Sequence, residues 1–439
     1  MLKIISIVSF AFALIFLLML LFALMQRTKK KSQKVRKQIL SRRRLYAAAG
    51  AIFFLAGFAL QLISARGYAL KSFISAASPV DEYKKGSSVE ALPDRIYAVG
   101  DDYYIHTGKN KIYGHLAITE TTTNDKGEET ETLSYQNGLC FSKMQAVAGG
   151  EGLLATLDLK GNLRLNGAFQ YLTYEKDDTS FNQQLFAKNC SFVSANRNSL
   201  LYVEGGDLYS AGYNAFGQLG DGTERNRVDS SMILERVASV STSQTHTLAV
   251  DIYGNLYGFG DNSYSEMGNR TTAASGTPIK LMSGVKQAEA GRYFSVILAK
   301  NGDVYTAGRN DLGQLGTGDN RDYATYKKVL EGVMKIAVSD HSCAALTADG
   351  NLYVWGSNAA GQLGKGAESW NAPQKIAEDV YDVAMGPQSM GVIRLNRDVE
   401  VSGAARPEGG AEWHSVYAFG ATIPEDQMYS EKVEMPAKE

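Results

Sequence analysis

The sequence holds few residues of the kinds that catalyse reactions or bind metals. Its five histidines are His106, His115, His246, His341 and His414, and none stands in an HxH or HExxH spacing for zinc. There is no GxSxG motif and no GxxxxGK[ST] phosphate loop, and no cysteine has the context of a catalytic nucleophile. We therefore predict a non-catalytic protein that uses no cofactor and no metal.

The cysteines are too few for a disulfide framework. Cys140, Cys190 and Cys343 form no CxxC pair, and free cysteines are usually buried, so we expect buried thiols. A bridge between Cys140 and Cys190 stays an alternative if the domain faces an oxidising compartment.

The charge of the chain is divided between a basic N-terminal part and an acidic remainder. Residues 1–80 contain 13 Lys and Arg and no Asp or Glu. Subtracting these from the totals of 45 basic and 46 acidic residues leaves 32 against 46 over 81–439, a net charge of −14. Nucleic acids are bound by clustered positive charge, so no nucleic-acid partner is predicted for this acidic part.

Two uncharged segments near the N-terminus are long enough to cross a bilayer. Residues 4–25 and 45–65 number 22 and 21, and about 20 apolar residues span the hydrocarbon core. We predict a transmembrane helical hairpin over 1–65. Cleavage of the first segment as a signal peptide is disfavoured, because its apolar run exceeds the usual length of about 7–15 residues. Cleavage after the second segment, near Ala65, stays an alternative.

The loop 26–44 between the two segments is strongly basic and has no acidic residue. Its cations are Arg27, Lys29, Lys30, Lys31, Lys34, Arg36, Lys37, Arg42, Arg43 and Arg44. Nuclear localisation or nucleic-acid contact is the alternative interpretation of such a run. Its position between two apolar spans favours a cytoplasmic loop at the membrane surface by the positive-inside rule. The large C-terminal part is then predicted to lie outside the cell membrane.

One motif, Gly-x-Leu/Val-Tyr-x-x-Gly, recurs every 48 residues. Its four clear copies begin at Gly206, Gly254, Gly302 and Gly350, and weaker copies begin at Gly161, Asp102 and Arg397. Seven units over about 90–430 average about 49 residues, which is the size of a four-stranded propeller blade. Within one unit, the pattern predicts a strand over 247–250, a turn over 253–255 and a strand over 256–259. The leading glycines are therefore predicted to be structural.

A second string, Asn-x-x-Gly-Gln-Leu-Gly, follows the motif at Asn214, Asn310 and Asn358, with the variant Asn-Ser-Tyr-Ser-Glu-Met-Gly at Asn262. Together the two strings resemble the regulator of chromosome condensation repeat, over about 340 residues. The resemblance implies a seven-bladed β-propeller, and the repeat often carries a histidine near the phase of His246 and His341, where a structural role is expected.

The predicted architecture is an all-β, seven-bladed propeller of four-stranded blades over 91–430, preceded by two transmembrane α-helices. A tether over 66–90 joins the parts, and a polar tail covers 431–439. The founding member of the family is a nuclear nucleotide-exchange factor that binds chromatin. Similar secreted bacterial propellers bind another protein through one face of the ring. A membrane-anchored member of this bacterial type is a better analogy for the present sequence than the nuclear exchange factor.

The first unit is about eleven residues longer than the others. Residues 118–132 consist of two threonine-rich arms on either side of an Asn-Asp-Lys-Gly turn. This pattern predicts a protruding hairpin. Its charged residues, proposed as partner contacts, are Glu120, Asp125, Lys126, Glu128, Glu129 and Glu131. Insertions on one face of a repeat ring are frequent binding elements, although a solvated loop without a partner is the simpler alternative.

The sequence thus predicts a membrane-anchored extracytoplasmic platform for a protein or other ligand, held in the lipid bilayer by two helices. One alternative is an enzyme with a site at the central channel, which converging carboxylates with perturbed pKa values would indicate. The other is an exchange-type regulator of a small GTPase, which requires the propeller in the cytoplasm.

Overall fold

The computed structural model describes residues 95–100, 102–108, 110–123, 129–150, 153–168, 171–172, 180–366, 368–404 and 413–418. The predicted spans, basic loop, tether and polar tail all lie outside these residues. In the part of the chain that is described, no helix is long and apolar enough to cross a membrane.

The described chain forms seven antiparallel sheets of four strands each, which we number as blades 1 to 7 in chain order. Blades 1 to 3 consist of β1 (Arg95–Val99), β2 (Asp102–His106), β3 (Lys111–Thr123), β4 (Glu129–Ser142), β5 (Met144–Gly150), β6 (Leu153–Asp158), β7 (Leu163–Ala168), β8 (Ser180–Ala187), β9 (Cys190–Ala195), β10 (Ser199–Glu204), β11 (Asp207–Gly212) and β12 (Arg227–Leu234).

Blades 4 to 7 repeat the same arrangement. They consist of β13 (Val237–Thr242), β14 (His246–Asp251), β15 (Asn255–Gly260), β16 (Ser275–Ser283), β17 (Val285–Gly291), β18 (Phe294–Ala299), β19 (Val304–Gly308), β20 (Tyr323–Leu330), β21 (Val333–Val338), β22 (Ser342–Thr347), β23 (Leu352–Gly356), β24 (Trp370–Ala377), β25 (Val380–Met385), β26 (Ser389–Arg394), β27 (Asp398–Gly403) and β28 (His414–Ala418). The predicted strand-turn-strand unit corresponds to β14 and β15.

The blades close into a ring through their first strands, which line the centre. Each first strand contacts the first strand of the next blade, and β1 contacts both β5 and β25. Seven apolar clusters fill the seven interfaces between neighbouring blades. In one of them Phe294 and Val296 of blade 5 pack against Ile336 and Trp355 of blade 6. Burying each such side chain contributes about 1.5–3 kcal/mol, so the interfaces stabilise the ring.

The ring has two different faces. Short turns between second and third strands, together with the connections between blades, form the turn face. Loops between first and second strands, and the longer ones between third and fourth strands, form the loop face. The repeat glycines Gly161, Gly206, Gly254, Gly302 and Gly350 all lie in turns of the turn face with positive φ angles. At Gly254 a Cβ would also lie 2.9 Å from the Val285 carbonyl oxygen of the next blade, which explains why glycine is needed there.

The predicted hairpin is formed by the backbones of β3 and β4. Their pairing continues from Ile118 opposite Ser134 to Thr123 opposite Glu129, whereas β2 pairs with β3 only as far as His115. The hairpin therefore projects beyond blade 1 at the loop face. Glu120, Glu129 and Glu131 lie in its paired strands, while Asp125, Lys126 and Glu128 lie outside the described residues.

The three thiols are free. Cys140 lies in the last strand of blade 1 and Cys190 in the first strand of blade 3. The bridge between them that the sequence left open is therefore not formed. Cys190 and Cys343 are buried, and Cys140 is partly buried.

Candidate functional site: the loop face

Each motif loop of the loop face is fastened by a buried asparagine. Asn310 accepts a hydrogen bond from the Leu315 amide at 2.8 Å and donates one to the Asp319 carbonyl oxygen at 2.8 Å. Asn214, Asn262 and Asn358 are buried and accept the amide of the residue five positions ahead in the same way. Satisfying both ends of a buried amide holds a long loop in one conformation. The asparagine of the motif thus fixes the conformation of the loop that follows it.

The third residue of the same motif points into solvent. Phe216, Tyr264 and Leu312 are 39%, 37% and 37% exposed. Their own amides are bound by the side chain two residues ahead, as when the Gln314 Oε1 atom accepts from the Leu312 amide at 2.9 Å. Three consecutive blades therefore present an apolar side chain from a fixed backbone.

Further aromatic side chains pack beside two of these residues. The Tyr213 ring lies edge-on to Phe216 with centroids 6.3 Å apart, and Tyr264 and Tyr293 lie 5.1 Å apart. We call Tyr213, Phe216, Tyr264, Tyr293 and Leu312 the apolar arc. Rigid aromatic side chains are the residues that most often dominate the energy of protein interfaces.

Arg309 adds a cation to the apolar arc. Its guanidinium carbon lies 5.4 Å from the Tyr264 ring centroid and 6.0 Å from that of Tyr293. Its Nη2 atom donates to Asp311 at 2.6 Å. The guanidinium is held between two rings by cation–π attraction and by this ion pair. Its partly exposed edge can still meet a partner.

Glu266 is a buried carboxyl at the position where three other blades have glutamine. Its Oε2 atom accepts the Tyr264 amide at 2.9 Å, as the glutamines do. Its Oε1 atom has no hydrogen-bond partner. Burial, together with the nearby charge of Asp261, raises the pKa of Glu266 to about 7. When Glu266 is protonated on Oε1, its hydroxyl is a hydrogen-bond donor at the place where the glutamines have their side-chain NH₂ group.

His246 and His341 lie among the packed strands and loops of the propeller. His246 is fully buried, with Nδ1 3.1 Å from the Ser243 hydroxyl and Nε2 3.0 Å from the Ser295 hydroxyl. Burial lowers its pKa to about 3, so the ring is neutral at physiological pH and joins blades 4 and 5. This agrees with the structural role expected for it. At His341 burial lowers the pKa, and its Nδ1 atom has no partner.

Hydrogen bonds between neighbouring blades run round the central channel. The contacts are Tyr97 to the Gln145 carbonyl oxygen, Gln145 to the Ser191 carbonyl oxygen, Asn196 to the Ser243 carbonyl oxygen, Ser241 to Glu289, Gln287 to the Ile336 carbonyl oxygen, Lys335 to Asp382, and the Ile96 amide to Asp382. Every blade interface is crossed once by these contacts. We call this series the channel belt.

The two carboxylates in the channel belt are occupied by structural contacts. Glu289 accepts from Ser241 and Gln287, both at 2.8 Å, and burial raises its pKa. Asp382 accepts from Lys335 and from the Ile96 amide. Asp382 joins two other blades to its own, and Glu289 joins blade 4 through Ser241 while its other oxygen accepts from Gln287 of the same strand, which gives no support to a channel active site. Among the described residues, no group of three or more His, Cys, Asp or Glu could hold a metal ion.

The structure brings together residues that the sequence did not single out. The proposed hairpin strands and the apolar arc lie on the same face, but the arc was missed because Phe216, Tyr264 and Leu312 are 48 residues apart in the sequence. The available signal was the third position of the loop motif, which is apolar in all four copies. The basic loop 26–44 lies outside the described residues.

Four segments match the family model of the regulator of chromosome condensation (RCC1) repeat, at residues 205–250, 253–298, 301–346 and 349–392. A second model of the same repeat matches 285–314 and 335–362. Each of the four segments covers the last two strands of one blade and the first two of the next. No curated protein matches the chain.

Solved propellers share the fold at low sequence identity. Human WBSCR16 is 17% identical over 68% of this chain and 88% of its own, with a TM-score of 0.57. Yeast RCC1 (Prp20), solved bound to Kap60, is 17% identical over 71% and 84%, with a TM-score of 0.55. Prp20p of Saccharomyces cerevisiae, described with its binding to Gsp1p and histones, is 16% identical over 80% and 91%, also with 0.55. These similarities show the fold alone.

Proposed function

Because the chain carries RCC1 repeats within a seven-bladed β-propeller, we propose that it is a non-catalytic platform that binds a protein partner through its loop face. The apolar arc is the observation that carries this proposal. Phe216, Tyr264 and Leu312 are exposed on fastened loops, and the Arg309 guanidinium beside the Tyr264 and Tyr293 rings can meet polar groups. Such a surface costs little side-chain entropy to bind, because it is already ordered.

The projecting hairpin supplies a second contact on the same face. Its paired strands are threonine-rich and acidic, so a partner would meet an apolar surface flanked by a negatively charged arm. The hairpin residues Glu120, Glu129 and Glu131 are proposed to steer a partner with a basic surface, since complementary charge chiefly raises the association rate.

We further propose that the propeller is displayed outside the cell membrane by the spans 4–25 and 45–65. The charge asymmetry of the sequence supports this topology, because a basic loop between two apolar segments is retained in the cytoplasm. A tag at Glu439 is expected to be digested by protease in intact cells. Digestion only after the cells are opened would place the propeller in the cytoplasm and refute this part of the proposal.

The binding proposal is tested by crosslinking capture with the full chain. The variant Phe216→Ala/Tyr264→Ala/Leu312→Ala is expected to lose partner capture, since truncating one interface hot spot costs about 2 kcal/mol or more, roughly 30-fold in affinity. The control Leu185→Ala/Met232→Ala removes similarly exposed side chains from outer strands. Equal loss in both variants would contradict the assignment to the loop face.

Deleting 118–132 tests the hairpin separately. Capture at low salt should slow when the hairpin is removed, and the difference should shrink as salt screens the charges. Undiminished capture at all salt concentrations would remove the hairpin from the interface while leaving the apolar arc.

A further inference from the structure

The turn face, opposite the loop face, also carries exposed apolar side chains. Leu159 in the β6–β7 turn is 52% exposed, and Ile252 and Tyr253 in the β14–β15 turn are 39% and 60% exposed. These residues stand at the tips of tight turns and extend away from the blades. Neighbouring turns of this kind hold Lys300 and Asn301 in blade 5, and Ala348 and Asp349 in blade 6.

Exposed basic residues surround these apolar tips. Lys143, Lys160 and Lys188 are exposed and form no ion pair with the described residues. Arg236 donates to the Tyr253 hydroxyl at 3.0 Å, and Lys300 donates to the Tyr253 carbonyl oxygen at 3.0 Å. We call the set the basic crescent; its members are Lys143, Leu159, Lys160, Lys188, Arg236, Ile252, Tyr253 and Lys300.

In the rest of the turn face, the exposed acids Asp349 and Asp379 form no ion pair with the described residues, whereas Glu331 and Glu378 are paired with Lys328 and Lys375. Among the described residues of the basic crescent's own sector, Glu235 is exposed and lies 3.9 Å from Arg236, and Asp158, Glu204 and Asp207 are partly exposed. The unpaired lysines and the exposed apolar side chains therefore lie on one half of the face, and the unpaired aspartates on the other.

The chain also enters the propeller at this face. Arg95 begins β1, whose other end leads into the loop between first and second strands. The chain that precedes Arg95 therefore arrives at the turn face.

We propose that the basic crescent lies against an anionic lipid bilayer surface, with Leu159, Ile252 and Tyr253 inserted among the headgroups. The proposal rests on the membrane anchoring proposed above. Lysines and arginines are attracted to anionic headgroups, and tyrosine prefers the membrane interface. The acidic half of the face is repelled, so the ring tilts towards its basic half. The loop face then points away from the bilayer, where a partner can reach it.

The experiment places a tryptophan reporter on each half of the turn face. Full-length Ile252→Trp and Ala348→Trp occupy equivalent turn positions. Each is reconstituted into vesicles of about three parts phosphatidylcholine to one part brominated phosphatidylglycerol, which form a moderately anionic membrane. Bromine quenches the fluorescence of indoles that lie close to the lipid. Fluorescence of the unsubstituted chain is subtracted. Quenching is expected at position 252 and not at 348. Equal quenching of the two reporters, or none, would overturn the proposal.

Charge reversal tests the electrostatic basis. Adding Lys143→Glu/Lys160→Glu/Lys188→Glu to the Ile252→Trp chain should abolish most of the quenching, since each basic residue adds about a five-fold preference for an anionic surface. Leu159→Trp is measured in parallel as a second reporter on the basic crescent. It shows whether a missing signal at position 252 comes from local misfolding of that turn. Quenching that survives charge reversal, or that is equal in zwitterionic vesicles whose phosphatidylcholine carries the bromine, refutes the lipid interaction.

Flotation separates this inference from the anchoring proposal. The chain and its charge-reversed variant should both float with zwitterionic vesicles if the spans insert. Failure of both to float would refute anchoring, whereas flotation without quenching at position 252 would refute the basic crescent alone.

Discussion

The carboxyl of Glu266 makes the stability of blade 4 depend on pH. In the folded protein its pKa is about 7, against 4.5 for the free side chain. Between these values the folded state holds a proton that the unfolded state releases. Stability therefore falls as pH rises from about 4.5 to about 7, and then stays level. At about 1.4 kcal/mol per pKa unit, the full loss is about 3 kcal/mol.

Replacing the carboxyl with an amide should remove this dependence. Glu266→Gln supplies the permanent donor that Gln218, Gln314 and Gln362 provide in other blades. We expect the variant to be more stable than the natural chain by about 3 kcal/mol at pH 8 and by little at pH 4. Urea unfolding of the full chain at several pH values, followed by circular dichroism, measures the difference.

The reverse exchange in the next blade is the matched control. Gln314 is buried in the equivalent loop and its Oε1 atom accepts the Leu312 amide. Gln314→Glu should create a new loss of stability between the same pH limits. A stability difference between Glu266→Gln and the natural chain that does not change with pH would refute the reasoning, as would a less stable variant at pH 8.

Three further changes test the fold. Gly260→Ala should destabilise by several kcal/mol, because its Cβ would lie 2.5 Å from the Thr245 carbonyl oxygen, whereas Gly284→Ala meets no atom within 4 Å and should cost about 1–2 kcal/mol for its left-handed backbone; thermal unfolding compares them. Asp382→Ala should cost about 3–5 kcal/mol in urea unfolding, since it leaves Lys335 without its buried partner, and an effect below about 1 kcal/mol would contradict that role. Asn310→Ala should cost about 2–3 kcal/mol and expose the 310–322 loop to proteolysis, because two buried groups lose their partners.

The sequence predicted the part of the fold that depends on local periodicity. The 48-residue spacing of Gly206, Gly254, Gly302 and Gly350 gave the blades, and the short apolar runs gave strands such as β14. These signals are strong because each turn needs the same backbone conformation at the same place. The threonine-rich arms likewise indicated the pairing of β3 with β4.

The sites depend on residues from different blades and were harder to predict. The contact of Gln287 with Ile336, or of Lys335 with Asp382, joins positions 47 to 49 apart whose side-chain directions no local pattern specifies. Glu266 was visible as a departure from Gly-Gln-Leu-Gly, but its burial and its unpartnered oxygen were not. The two exposed surfaces emerged only when turns and loops of several blades were placed side by side.

The ring has one junction with a distinct mechanical property. Consecutive blades are joined by continuous backbone, and the four RCC1 segments straddle four of these six boundaries, but no described segment passes from blade 7 to blade 1. That seam is held by side-chain contacts such as Tyr103 with Ser389 at 2.8 Å and Ile96 with Asp382. A force applied to the chain before Arg95 would act first on the contacts between blades 1 and 7. Tension would therefore separate these two blades while the other six blade boundaries stay intact.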